Sequence, residues 1–119
     1  MLQDTLIQLE SILRQTKLNA IQQEKLLNIL KLYKSGTWIY PGVLARKTKI
    51  SIKETYKLLN ELEEADIVSS YFEIICSKCS KTIGNVYKGI NDIPEEVDCE
   101  NCGDVISGLD NAFLIYKVN

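Results

Sequence analysis

Four residues of this 119-residue chain have the type and spacing to do chemistry together: Cys76, Cys79, Cys99 and Cys102, arranged as two C-x-x-C pairs. A C-x-x-C turn directs two sulfurs at one point, and two such turns complete the tetrahedral thiolate shell that zinc accepts. The nineteen residues between the pairs fall in the spacing range of such sites. Histidine is absent, so an all-cysteine site is the one common structural-zinc arrangement open to the chain. Four protein ligands leave no position for water or substrate, and the expected cofactor is therefore a structural Zn²⁺. Two disulfides are the competing use of four cysteines. They require an oxidising compartment, whereas the N-terminus lacks the basic stretch, apolar core and small-residue cleavage site of a secretory signal. A thioredoxin-like redox motif expects one C-x-x-C beside a βαβ pattern. The expected setting is a reduced cytoplasm.

The rest of the chain must position these thiolates. Its length fits one domain, or one domain carrying a small metal-stapled module, and 45% hydrophobic with 25% charged residues is ordinary for a globular protein. No apolar run reaches about eighteen residues, so no membrane span is expected. The net charge of −2 is unevenly spread. Residues 1–34 carry five basic and three acidic groups, residues 35–75 five and six, and residues 76–119 four and seven. A tetrathiolate holding a dication adds further negative charge to the last segment. Contact with phosphate, if any, falls to Arg46, Lys47, Lys49, Lys53 and Lys57, which lie within twelve residues and are opposed only by Glu54.

Leu2, Leu6, Leu9 and Leu13, with Ile7 and Ile12 alongside, have the spacing of an amphipathic helix. Two heptads leave open both packing within its own domain and a homodimer contact. Asn19 with Gln22 three residues on predicts a capped helix running to about Tyr33, its apolar face built from Ile21, Leu26, Leu27, Ile29, Leu30 and Tyr33, closed by a left-handed Gly36. Thr37–Tyr40 reads as a strand, and Pro41 suits the first turn of the next helix. A turn is expected at Lys49-Ile50, then a capping box of Ser51 and Glu54 opening a helix over 52–65. Ile52, Tyr56, Leu59 and Leu62 are its predicted apolar face. Residues 67–75 read as a strand entering Cys76 without a linker, and Ala112–Val118 as a strand that pairs antiparallel with it, giving one fused body. Within the cysteine module, Val86-Tyr87 and a short run into Cys99 are further strands. Gly103 frees the backbone to aim amides at sulfur, and Ser80 holds the matching place.

Leu44-Ala45-Arg46-Lys47-Thr48-Lys49-Ile50-Ser51, followed by Thr55, Leu59, Glu61-Leu62-Glu63 and Ala65-Asp66-Ile67-Val68, resembles the helix-turn-helix and first wing strand of winged-helix proteins of the bacterial and archaeal regulator type. The resemblance covers residues 37–75. It implies that the second helix of the pair enters the major groove by its N-terminal residues. Lys53, Glu54 and Lys57 would then face the groove, Arg46, Lys47 and Lys49 would hold phosphates, and Thr55 would reach the groove edge or stay in the core. Lys49 and Asp66 occupy positions commonly glycine in that family. The cysteine module looks like a zinc ribbon, and the order is similar to that of archaeal transcription factor E and its eukaryotic relative, with acids rather than prolines around the second C-x-x-C.

The implied fold is α+β: N-terminal helices and a winged helix-turn-helix over 1–75, and over 76–119 a four-cysteine zinc ribbon at the wing. The implied function is a DNA-binding transcription regulator acting on duplex DNA. A second reading is an adaptor subunit that docks a protein partner through the winged helix and acidic ribbon, with Tyr71, Tyr87 and Tyr116 as exposed aromatic contacts. A solvated lysine-rich face is the competing account of the basic cluster. No histidine, glycine-rich phosphate loop or uncommitted nucleophile suggests catalysis, and Glu95/Glu96 follow a proline in a turn, so an enzyme is not expected.

Overall fold

Capping chemistry sets the helix boundaries. In the computed structural model, which describes residues 3–119, α1 is Gln3–Arg14, α2 Ala20–Leu30, α3 Pro41–Thr48 and α4 Ile52–Glu64. Asn19 Oδ1 accepts the Gln22 N–H at 2.8 Å and Gln22 Oε1 accepts the Asn19 N–H at 3.2 Å, a complete capping box for α2. Pro41 fills the first turn of α3, where its missing N–H would have no helical partner. Ser51 Oγ accepts the Glu54 N–H at 3.1 Å and opens α4, a cap that contributes on the order of 1 kcal/mol.

Both helices of the α3–α4 pair end on left-handed residues. Lys49 has φ 56° and Asp66 φ 59°, at the two places where the winged-helix resemblance expects glycine. In each case the following amide reaches back five residues, Ile50 N–H to the Ala45 carbonyl at 3.1 Å and Ile67 N–H to Leu62 at 2.9 Å. These are the closing bonds of a Schellman turn, formed here without the residue that forms it most cheaply.

Several expectations about faces and ends change. α2 stops at Leu30, short of Tyr33, and Leu32 is exposed. Gly36 is left-handed at φ 89°, but it shapes the turn into the next strand instead of closing the helix, and its N–H donates to the Val118 carbonyl at 2.7 Å. Ile21, in the first turn of α2, is 68% exposed. The buried stripe of α4 is Thr55, Leu58, Leu59 and Leu62, and Ile52, a turn ahead of it at the open end, is 48% exposed. Thr55 stays in the core at 2% exposure, its hydroxyl donating to the Ser51 carbonyl at 2.9 Å. In α1, Leu9 and Leu13 are buried and Ile7 is exposed; Leu2 of the predicted stripe lies outside the described residues.

Among the described residues, six strands complete the mixed fold: β1 Trp38–Ile39, β2 Val68–Ile75, β3 Thr82–Tyr87, β4 Glu96–Asp98, β5 Val105–Ser107 and β6 Ala112–Val118. Four form one sheet in the order β1-β6-β2-β3, and β4 and β5 form a separate antiparallel pair. The chain divides into two compact units, one holding the residues up to Ser69 with Tyr116–Asn119, the other Ser70–Ile115.

The first unit is helical, with Leu9, Leu30, Leu44, Leu59 and Leu62 among its buried side chains. β1 pairs antiparallel with the end of β6, Trp38 opposite Lys117 and Ile39 opposite Tyr116. The Lys117 ammonium stands 5.3 Å from the centre of the Trp38 ring, within cation–π range. Tyr116, expected among the exposed tyrosines, is fully buried, and its hydroxyl donates to Asn60 Oδ1 at 2.9 Å. Burial, reinforced by Glu63 and Tyr56, pushes that hydroxyl up to about 12.

The second unit carries β3, β4, β5 and most of β2. Its core is Ile74, Cys76, Cys99 and Ile106, flanked by Ile83, Tyr87 and Val97.

Replacing Lys49 with glycine removes a side chain from a left-handed backbone and is expected to raise the unfolding free energy by about 0.5–1 kcal/mol, the steric relief exceeding glycine's entropic cost. Lys49→Val, β-branched at the same φ, should lower it. Urea denaturation of the two variants beside the parent chain checks the sign of both changes.

Candidate metal centre

The two C-x-x-C pairs sit on the same hydrogen-bonded turn. In the first, the Ser80 N–H donates to the Cys76 carbonyl at 2.8 Å and the Cys76 N–H to the Lys81 carbonyl at 2.9 Å. In the second, Gly103 N–H donates to Cys99 at 2.7 Å and Cys99 N–H to Asp104 at 2.8 Å. The left-handed residue falls at the same step of each turn, Ser80 at φ 62° and Gly103 at φ 80°. The amides that follow these residues, at Lys81 and Asp104, act to lower the Cys79 and Cys102 thiols. Gly103's own amide is used by the Cys99 carbonyl. Ser80 takes the left-handed backbone with a side chain attached, at a cost of about 1–2 kcal/mol.

The turns face each other. Cys76 Sγ lies 3.6 Å from Cys102 Sγ and Cys79 Sγ 3.6 Å from Cys99 Sγ, and all four sulfurs fall within 4.8 Å of one another. They are free thiols, since a disulfide would hold its sulfurs at about 2.0 Å. The first cysteine of each pair is buried, Cys76 at 0% and Cys99 at 3% exposure, whereas Cys79 is half-buried and Cys102 exposed. This cluster can hold a metal ion.

Neighbouring groups push two of its thiols in opposite directions. The Lys81 amide, then the Asn101 side chain, bring the Cys79 thiol down to about 6, with burial opposing and Cys99 and Cys76 assisting. At Cys102 the Asp104 amide pulls down, but desolvation and the hydrogen bonds with Cys99, Cys76 and Cys79 outweigh it and push that thiol up to about 12. Ionisation is thus favoured at Cys79 and resisted at Cys102. A dication among the sulfurs removes the resistance and displaces the remaining protons. Asp104 Oδ2 lies 3.7 Å from Cys102 Sγ and 3.4 Å from Lys78 Nζ, so a lysine of the first turn balances the carboxylate of the second.

Packing between neighbouring backbones fixes the second turn. β4 and β5 pair as Glu96 with Ser107, Val97 with Ile106 and Asp98 with Val105, and the Cys99–Cys102 turn joins them. Just beyond β5, the Gly108 N–H donates to the Glu95 carbonyl at 3.0 Å. A Cβ at Gly108 would collide with the Pro94 carbonyl oxygen and stand 2.9 Å from Ile93 Cγ2.

The six residues predicted to meet nucleic acid all belong to the helical unit. Arg46 and Lys47 lie in the last turn of α3, Lys49 at its left-handed cap, and Lys53, Glu54 and Lys57 on α4. All five cations are exposed and Glu54 is half-buried. Lys57 also lines a cleft of about 90 Å³ with Lys17 from the α1–α2 turn, Glu54 and Glu61, so carboxylates share its surroundings. Sequence reasoning missed Lys81, Asn101 and Asp104 as partners of sulfur. Their signal is positional, each lying two residues after or one before the second cysteine of a pair.

Gly108→Ala is expected to separate β5 from Pro94 and loosen the second cysteine turn. The variant should lose amide protection in β4 and β5 and bind a divalent thiophilic ion at least tenfold more weakly in a competition titration with a chromogenic chelator. No family model, curated protein or solved structure matches this chain, which leaves the chemistry of the site as the guide to its role.

Proposed function

We propose that the four cysteines hold one structural zinc ion in a ribbon-like module, and that this module accompanies a winged helix-turn-helix whose α3–α4 face contacts duplex DNA. The observation that carries the metal reading is the convergence of four sulfurs from two matched turns within 4.8 Å. A tetrahedron with zinc–sulfur distances of about 2.3 Å has sulfur–sulfur edges of about 3.8 Å, close to the 3.6 Å of the two contacts joining the turns. Cys76, Cys79, Cys99 and Cys102 would fill the coordination shell, and the ion would supply cross-linking and charge neutralisation with no open position for catalysis. The amides of Lys81 and Asp104 orient and stabilise the thiolates at Cys79 and Cys102.

The winged-helix reading is supported by the order of elements: a helix, a short strand, two helices joined by a tight turn, then β2 and β6, with β6 between β1 and β2. The DNA reading is supported by the exposed cations on and between α3 and α4. Arg46, Lys47 and Lys49 would hold phosphates, while Lys53, Glu54 and Lys57 would stand nearest the base edges.

A distinct observation favours a second reading, a protein-docking adaptor. The helical unit carries eleven basic and eight acidic residues, and the cysteine unit three basic and eight acidic. The cysteine unit also exposes Ile90, Val105, Leu109 and Phe113, so a basic protein partner with apolar anchors would suit it.

Two measurements test these readings. A strong chelator under reducing conditions should abolish amide protection in β3, β4 and β5, because thiolate zinc supplies on the order of 10 kcal/mol to such modules; undiminished protection would count against the metal. Anisotropy titration of random-sequence duplex at two salt concentrations should give a log–log slope of about −3 to −4, for roughly four phosphates neutralised. Lys53→Glu with Lys57→Glu should weaken that binding. No binding at about 50 mM salt would remove DNA as the ligand and leave the adaptor.

A further inference from the structure

We infer that the cysteine cluster is also a site of reversible oxidation by peroxide, with cross-turn disulfides Cys76–Cys102 and Cys79–Cys99 as its product. The inference rests on the metal reading only for its consequence, release of the bound ion.

Each cross-turn contact of 3.6 Å joins a buried sulfur to a more accessible one: buried Cys76 to exposed Cys102, and buried Cys99 to half-buried Cys79. An oxidant arriving from solvent meets Cys102 first. Cys102 gives up its thiol proton to solvent as its sulfur attacks one oxygen of hydrogen peroxide, the O–O bond breaks, and a sulfenic acid and hydroxide result. The resolving thiolate of Cys76 already stands at 3.6 Å. It attacks the Cys102 sulfur, the S–S bond forms, and the sulfenic oxygen leaves as hydroxide. Two thiols lose two electrons and two protons, one peroxide gains them, and two water molecules result. Cys79 and Cys99 repeat the sequence with a second peroxide. A sulfur in a disulfide no longer carries the negative charge that binds the ion, so each bridge removes two ligands, and a thiol reductant restores them.

The geometry distinguishes this outcome from closure within each C-x-x-C. Inside a turn, the carbonyl of the first cysteine is tied to the amide four residues on. The 3.6 Å sulfur contacts run between the turns, each sulfur having such a partner on the opposite turn.

The test uses the full chain, purified under reducing conditions, with metal content measured first. Two equivalents of hydrogen peroxide per chain are added beside a chromogenic zinc indicator. Disulfides are then mapped by mass spectrometry after alkylation without reduction, and a parallel sample contains dimedone to trap sulfenic acids. The inference predicts peptides joined as 76–102 and 79–99, dimedone on Cys102 ahead of Cys76 and Cys99, and release of one ion per chain that dithiothreitol with added zinc reverses. Bridges 76–79 and 99–102, irreversible sulfinic acids, or four thiols still alkylatable would overturn it. Should the purified protein carry no metal, the structural-metal reading fails, and the disulfide map still decides the oxidation inference.

Discussion

Four thiols stand within 4.8 Å of one another, and negative charge on all of them at once requires positive charge among them. That constraint organises Ser70–Ile115. The unit has little else to hold it together: beside the cysteines, its buried hydrophobic cluster contains Ile74 and Ile106, with partly buried side chains around them. A unit this small buries too little apolar surface to meet the conformational entropy of ordering its turns and three-residue strands. Backbone geometry then follows from aiming the sulfurs. Ser80 and Gly103 go left-handed, and Gly108 approaches Pro94 more closely than any side chain would allow.

The helical unit obeys a different logic. Its stability comes from packed leucines and satisfied helix ends, and its buried polar groups have partners: Thr48 on the Leu44 carbonyl at 2.7 Å, Thr55 on Ser51, Tyr116 on Asn60. Five of its eleven cations fall within residues 46–57 with Glu54 the one carboxylate among them, while the excess of carboxylates belongs to the cysteine unit. A chain with net charge −2 can thus present a basic surface locally, because net charge constrains the sum and not its distribution.

Much of this is legible in the residues. The cluster is readable because two identical C-x-x-C steps leave few geometric options, and the starts of α2, α3 and α4 because Asn19, Pro41 and Ser51 each do a specific job at a helix N-terminus. The left-handed positions are marked as well, since Lys49 and Asp66 stand where the resemblance expects glycine. Periodicity is the weaker guide: Ile21 and Ile52 in first turns and Ile7 within α1 match a helical stripe, yet all three are exposed. Of Thr82–Tyr87 only Val86-Tyr87 reads as strand, because Gly84 and Asn85 are poor strand formers. Val105–Ser107 is too short for any pattern, and what defines it is pairing with β4. The sulfur-directed amides are invisible because a backbone N–H has no sequence letter.

The central claim is that one ion fills the space between the four sulfurs, and the most direct measurement is elemental analysis of the purified, fully reduced protein combined with a thiol count. One zinc per chain, with all four thiols recovered after denaturation in chelator, is the expected result. A metal-free protein with the same four reduced thiols and intact amide protection in β4 and β5 would contradict it.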